Sequence, residues 1–300
     1  MSIIEQAAER LERLKQAGVD VPTVAPKPAG PEAEGTVTTA PPGHAPKAEA
    51  SKKQSRRVTI DIERLRTAGM VTSDAPNSMS AAEFRLIKRP LIANAQGKGV
   101  PAVHRGNLIM VTSSIAGEGK TFVAINLALS IAMEIDTTVL LVDGDVLAPG
   151  VMRGLGIEKS RGLIDLLTTP KLDVSDVLLK TNIDRLSVLP SGTPHGRAPE
   201  LLASDGMTRL IEELAARYPN RVILFDSPPL LVTTESRALA SHMGQIVFVV
   251  EADRTVRSTV EEALSKLEAC PIVMTVLNKS ARSELGSYYY DYRSGDGKAE

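Results

Sequence analysis

At 300 residues the chain is too long for one small domain and short for two large ones, and its 35 Lys and Arg nearly balance 36 Asp and Glu. No global charge therefore points to nucleic acid or to an anionic membrane, and a single cysteine, Cys270, excludes an internal disulfide framework. No apolar run approaches the roughly 20 residues that span a bilayer, and the start MSIIEQAAER carries acids where a secretion signal needs a basic start and an apolar core, so a mature, soluble, intracellular protein is expected.

The first predicted element is an amphipathic helix over 3–17 within an N-terminal segment 1–19, with Ile4, Ala7, Leu11 and Leu14 on one stripe. Alone it is marginal in water, so it is either a solvated helix or a docking helix for a partner. Residues 20–57 hold seven prolines and end in SKKQSRR, which predicts a disordered linker with little to bury. From residue 58 the pattern becomes globular. A helical stretch near 80–95 contains Pro90, which is expected to kink or end it.

Short apolar runs then alternate with longer amphipathic ones. The runs are NLIMVTS (107–113), VLLVD (139–143), LSVLP (186–190), VILFD (222–226), IVFVV (246–250) and IVMTVL (272–277). They are rich in β-branched residues and apolar on both faces, as strands of a doubly covered parallel sheet must be. Helix-like segments near 119–134, 198–217, 234–243 and 255–269 lie between them. The prediction is an α/β domain over 58–282 with a mainly parallel sheet and helices on both faces, followed by a flexible tail over 283–300.

Ser114 to Thr121, SIAGEGKT, stands between a strand and a helix, the context that a phosphate-binding loop requires. Gly117 and Gly119 let backbone N–H groups turn toward phosphates, and the following helix aims its positive end at them. Lys120 supplies a charge for the β and γ oxygens, and the Thr121 hydroxyl is a magnesium ligand. The candidate nucleotide contacts are Ser114, Ala116, Gly117, Glu118, Gly119, Lys120, Thr121 and Phe122, which makes the fold a P-loop NTPase fold. Ser114 replaces the first glycine of G-x-x-x-x-G-K-[ST].

Two other strands end in acids: Asp143 and Asp145 after one, Asp226 after another. In open α/β sheets ligands sit at the carboxyl ends of strands, so these acids are expected to converge on the loop. Magnesium needs carboxylates there, directly or through water, and a carboxylate is needed to take the proton of a phosphoryl acceptor. Guanine readers carry N-K-x-D, but Asn278-Lys279 is followed by Ser280 and Ala281. The D-x-x-G switch fails too, because Pro229 stands where glycine is needed. ATP is therefore the expected nucleotide. Asn278 either bonds the purine or caps its strand.

Four of the five tyrosines cluster at Tyr288, Tyr289, Tyr290 and Tyr292, between Gly- and Ser-rich stretches. The cluster reads as a terminal edge strand, an aromatic patch, or a flexible tail presenting phenolic hydroxyls, and such a tail beside a phosphoryl-transfer site would be its substrate. The GEGKT loop, the strand-end pair Asp143/Asp145, the FDSPP strand end and this cluster together resemble the bacterial tyrosine kinases, the capsular polysaccharide tyrosine autokinases. MSIIEQAAERLERL and EFRLIKRPLIANA resemble their exosortase-associated branch.

The resemblance implies phosphoryl transfer from MgATP to the tail tyrosines, chiefly between subunits of a ring. It makes Lys120 and Thr121 the phosphate and magnesium residues, Asp143 the base toward the tyrosine hydroxyl, and Asp145 and Asp226 the magnesium-site acids. It also implies a role in exopolysaccharide production, a membrane-embedded chain-length or co-polymerase partner that activates the kinase at the inner face of the cytoplasmic membrane, and a tyrosine phosphatase. The family's E-x-x-R-x-x-R assembly motif aligns with Ala82, Arg85 and Lys88, its glutamate displaced to Glu83. The rival reading is a partitioning ATPase switch; the extra lysine of its K-G-G-x-G-K-T loop would fall at Ile115.

Overall fold

The structure, a computed structural model, describes residues 55–98, 103–217, 220–267 and 269–280. The predicted N-terminal helix, the linker as far as residue 54 and the tyrosine tail lie outside these residues.

In chain order the elements are β1 (Arg57–Val58), α1 (Ile62–Thr67), α2 (Met79–Ala95), β2 (Leu108–Ser113), α3 (Lys120–Ala132), β3 (Thr138–Asp143), α4 (Val151–Leu155), α5 (Leu163–Thr168), α6 (Val174–Val177), β4 (Leu179–Thr181), β5 (Leu186–Leu189), α7 (Ala198–Leu202), α8 (Asp205–Arg217), β6 (Arg221–Asp226), α9 (Glu235–Ala240), β7 (Gln245–Glu251), α10 (Arg257–Leu264) and β8 (Val273–Asn278). The strands form one eight-stranded sheet in the order β1-β4-β5-β3-β6-β2-β7-β8. Every neighbouring pair is parallel except β4 with β5. Arg57, the last residue assigned to the linker, instead opens β1 and sits opposite Lys180.

Alternation along the central strands sends neighbouring residues into two separate cores. Ile109, Val111, Leu141, Leu224 and Val249 face α2, α3 and α4, whereas Met110, Val142, Phe225 and Phe248 face α8, α9 and α10. Strands buried on both faces need continuous apolar runs, and β2, β3, β6 and β7 have them. The helix that leaves the phosphate loop, α3, is apolar almost all round, because the sheet covers one side and α2 and α4 the other. Its one buried amide, Asn126, accepts from the Val71 N–H (2.7 Å) and donates to the Phe122 carbonyl (2.8 Å), so that amide is satisfied at both ends.

Two predicted helices differ in detail. Pro90 does not end α2, which runs on to Ala95. The carbonyl that loses its partner belongs to Leu86, on the exposed face, while Phe84, Lys88 and Leu91 pack inward on both sides of the proline. The predicted 198–217 helix is two helices, because Ser204 interrupts it. The Ser204 hydroxyl donates to the Leu201 carbonyl (2.7 Å) and accepts from the Met207 N–H (3.3 Å), closing one helix and opening the next.

Candidate active site

The phosphate loop joins the carboxyl end of β2 to the start of α3, in mid-sheet between β6 and β7. Gly117 and Gly119 hold φ of 94° and 95°, a left-handed backbone that glycine adopts without a Cβ clash. Gly119 is the N-cap of α3 and has no side chain to satisfy the first helical N–H groups, so those donors stay available to an anion.

The predicted acids converge here. Asp143 sits directly opposite Asp226 across the β3–β6 pair. The Thr121 hydroxyl donates to Asp226 Oδ2 (2.7 Å), and Lys120 Nζ pairs with Asp145 Oδ2 (2.8 Å). Asp145 Oδ1 accepts from the Ala148 N–H (3.1 Å), so this acid neutralises Lys120 and shapes its own loop before it serves any metal. Asp143 accepts from the Val151 N–H (3.2 Å). Burial raises the Asp143 carboxyl to about 7, helped by the charges of Asp226 and Asp145. Burial also raises Asp226 to about 7, against the pull of Lys120 and the Thr121 hydroxyl.

The residues fit a magnesium ion. Asp143 Oδ1 and Asp226 Oδ1 are buried acceptors with no protein donor, at the point where Thr121 arrives. A threonine hydroxyl that donates to a carboxylate keeps lone pairs for a cation. Among the described residues no group of three His, Cys, Asp or Glu side chains forms a metal cage. Magnesium rarely uses such cages; it takes one or two protein oxygens and completes its shell with water and substrate phosphates.

Other predicted contacts serve the loop itself. The Glu118 carboxylate is buried and turned inward, accepting from the Ile115 N–H (2.8 Å) and the Thr255 hydroxyl (2.6 Å). Only its backbone faces a ligand. Asn278, read from the sequence as a purine contact or a strand cap, ties β8 to the loop: Nδ2 donates to the Glu118 carbonyl (2.9 Å) and lies against Gly119. Ser114 Oγ is buried without a partner beside the loop, Ala116 is exposed, and Phe122 is half-buried against the α2–α3 core.

Besides Thr255, two more residues escaped the sequence reading. Gly144, between the paired aspartates, donates its N–H to the Asp226 carbonyl (2.8 Å), and a Cβ at this position would stand 2.9 Å from that oxygen. It locks the end of β3 to the end of β6. Lys279 donates to the Gly117 carbonyl (2.6 Å) and pairs with Glu251 (3.1 Å). Its only sequence signal was its place after Asn278.

The model of the AAA domain family matches residues 106–270, more than half of the chain. Tyrosine-protein kinase YwqD of Bacillus subtilis is 27% identical over 223 residues, covering 74% of this chain and 90% of that protein. The chain belongs to the AAA domain family and to the bacterial tyrosine kinases. Succinoglycan biosynthesis transport protein ExoP of Rhizobium meliloti is 29% identical over 235 residues, 77% of this bacterial tyrosine kinase chain but only 28% of ExoP. Among solved structures, the chimerical protein CapA2B2 superposes with a TM-score of 0.61 at 25% identity, covering 76% of this chain and 95% of that one.

The family's helix motif falls differently from its alignment. Lys88, its last position, is buried in its own chain, bonded to the Ser130 carbonyl (2.6 Å) and paired with Glu134 (2.7 Å). The exposed row on α2 is one residue along: Glu83, Leu86 and Arg89. Among the described residues no helix is long and apolar enough to cross a membrane.

Proposed function

We propose that this chain transfers the γ-phosphoryl group of MgATP to its C-terminal tyrosines, Tyr288, Tyr289, Tyr290 and Tyr292, chiefly on a neighbouring copy. The observation that carries this reading is the convergence of Lys120, Thr121, Asp143 and Asp226 beside a left-handed glycine loop, in a chain whose relatives are named tyrosine kinases.

In the proposed step the phenol oxygen forms a bond to the γ phosphorus, the bond from that phosphorus to the β–γ bridging oxygen breaks, and ADP leaves. The phenol proton passes to a carboxylate as attack proceeds. Asp143, raised to about 7 and keeping one oxygen without a protein donor, is suited to accept it. Lys120 neutralises charge on the β and γ oxygens, and the loop N–H groups hold them. Thr121 and Asp226, directly or through water, would hold a magnesium ion, which would supply positive charge against the phosphates.

Names such as succinoglycan biosynthesis transport protein support a role in exopolysaccharide production and export. On this reading the chain works at the inner face of the cytoplasmic membrane, held there by a membrane-embedded co-polymerase that activates it, and a tyrosine phosphatase resets it. The exposed Glu83–Leu86–Arg89 row of α2 is the face we assign to contact between copies, since Lys88 is committed internally.

A mixing experiment tests transfer between copies. A Lys120→Met chain with an intact tail is combined with a chain whose four tail tyrosines are Phe. Label from γ-phosphate on the Lys120→Met tail supports the proposal. Release of free phosphate with no protein label points instead to an ATPase switch.

A further inference from the structure

We propose that Lys279, acting with Asn278, is a positioning residue that aims the phosphate nest from behind. The inference rests on the nucleotide-binding reading and goes beyond it, because neither side chain needs to touch the substrate to act.

Lys279 Nζ holds the Gly117 carbonyl at 2.6 Å, and Asn278 Nδ2 holds the next carbonyl, that of Glu118, at 2.9 Å. Among the described residues no peptide bond is cis. In a trans peptide the C=O and the following N–H point in opposite directions. Drawing these two carbonyls out toward β8 therefore turns the Glu118 and Gly119 N–H groups the other way, into the loop. The Gly119 carbonyl is taken by the Val123 N–H (3.0 Å) along α3, which directs the Lys120 N–H out of the helix start. Three successive donors then face one spot, the arrangement that binds phosphate. The Ile115 N–H is excluded, because the Glu118 carboxylate has claimed it.

The loop needs this outside anchor. Glycines accept positive and negative φ almost equally, so the peptides between Gly117 and Gly119 have little intrinsic preference for which way they face. A flipped peptide would present a carbonyl oxygen to the triphosphate. The backbone of Lys279 is itself held in place, since at φ 59° it is a non-glycine residue in the left-handed region, a conformation kept where surroundings enforce it. Glu251 grips its ammonium group from the other side at 3.1 Å, and Glu251 lies opposite Asn278 in the β7–β8 register. The cation also adds positive charge just behind the nest.

The test compares wild type, Lys279→Met and Lys279→Arg as full chains, titrated calorimetrically with ATP, ADP and AMP in magnesium. Lys279→Met is expected to bind ATP and ADP about tenfold more weakly, the loss of roughly one charge-assisted hydrogen bond's influence. AMP affinity is expected to stay unchanged, because a single phosphate does not reach the β and γ positions that the nest serves. In turnover the KM for ATP rises while kcat moves less than about twofold, and Lys279→Arg restores part of the loss. The inference is overturned if Lys279→Met binds ATP like wild type, or if AMP weakens as much as ATP. A wild-type chain that binds none of the three overturns the nucleotide reading, and this inference with it.

Discussion

The wall of the site built on β2, β3 and β6 is dry and crowded with charge, with Asp143 and Asp226 both at 0% exposure, whereas the wall built on the ends of β7 and β8 is wet, with the Lys279 side chain 44% exposed. On the dry wall stand the side chains to which the chemistry is assigned, and burial changes their protonation: two carboxyls rise to about 7. On the wet wall Thr255, Asn278 and Lys279 all bind the loop, and in the proposed account they act by deciding where its backbone points. One wall supplies chemistry and the other geometry, so substitutions on the two should fail in different ways.

Asp226→Asn is expected to have the largest effect. It removes a charge from the magnesium site and replaces one of the two acceptor oxygens beside Thr121 with an amide nitrogen, and should lower the rate of tail phosphorylation by about a thousandfold, measured by label incorporation. Protein stability should not fall with it, since the substitution removes a buried carboxylate that is raised against its own ionisation.

The same burial sets a pH dependence in protein freed of magnesium and nucleotide. The folded-state values of Asp143 and Asp226 lie near 7, above the ordinary value of 3.8. The folded chain therefore holds protons that the unfolded chain has already released, and stability declines as pH rises from about 4 through 7. Thermal midpoints should be higher at about pH 6 than at pH 8, and Asp226→Asn should flatten the slope. A midpoint that climbs over this range would contradict the assignment.

Gly144→Ala sharpens the contrast from the backbone side. The added Cβ meets the Asp226 carbonyl at 2.9 Å, so the β3 and β6 ends must part. A loss of about 1–3 kcal/mol is expected in denaturant unfolding, with phosphorylation impaired. On the wet wall Thr255→Val removes the hydroxyl that donates to Glu118 and should cost about 1.5 kcal/mol. Its signature is a raised KM for ATP with kcat nearly intact, the reverse of Asp226→Asn.

The acids and the phosphate loop of the dry wall were legible in the sequence because each is a local pattern. An Asp that ends an apolar strand, or GEGKT between a strand and a helix, can be read within ten residues, and the fold places strand ends together. The wet wall was not legible. Lys279 reaches the loop only because β8 pairs in parallel with β7, which brings a residue 162 positions away onto Gly117. Gly144 looked like a spacer because its partner, the Asp226 carbonyl, lies on another strand. Lys88 matched a motif by type, but its burial against Glu134 depends on how α2 packs on α3. Helix existence was readable while the break at Ser204 was not, since serine serves as readily within a helix as at a cap until its hydrogen bonds are known.

The central claim is that one chain carries both a kinase site and the tyrosines it modifies. Its most direct test is to incubate the purified full chain with MgATP and map phosphate by mass spectrometry, beside Lys120→Met. The account predicts phosphate on Tyr288, Tyr289, Tyr290 or Tyr292 in the wild type and none in Lys120→Met. ATP consumption with an unmodified tail, or equal labelling in Lys120→Met, would contradict it.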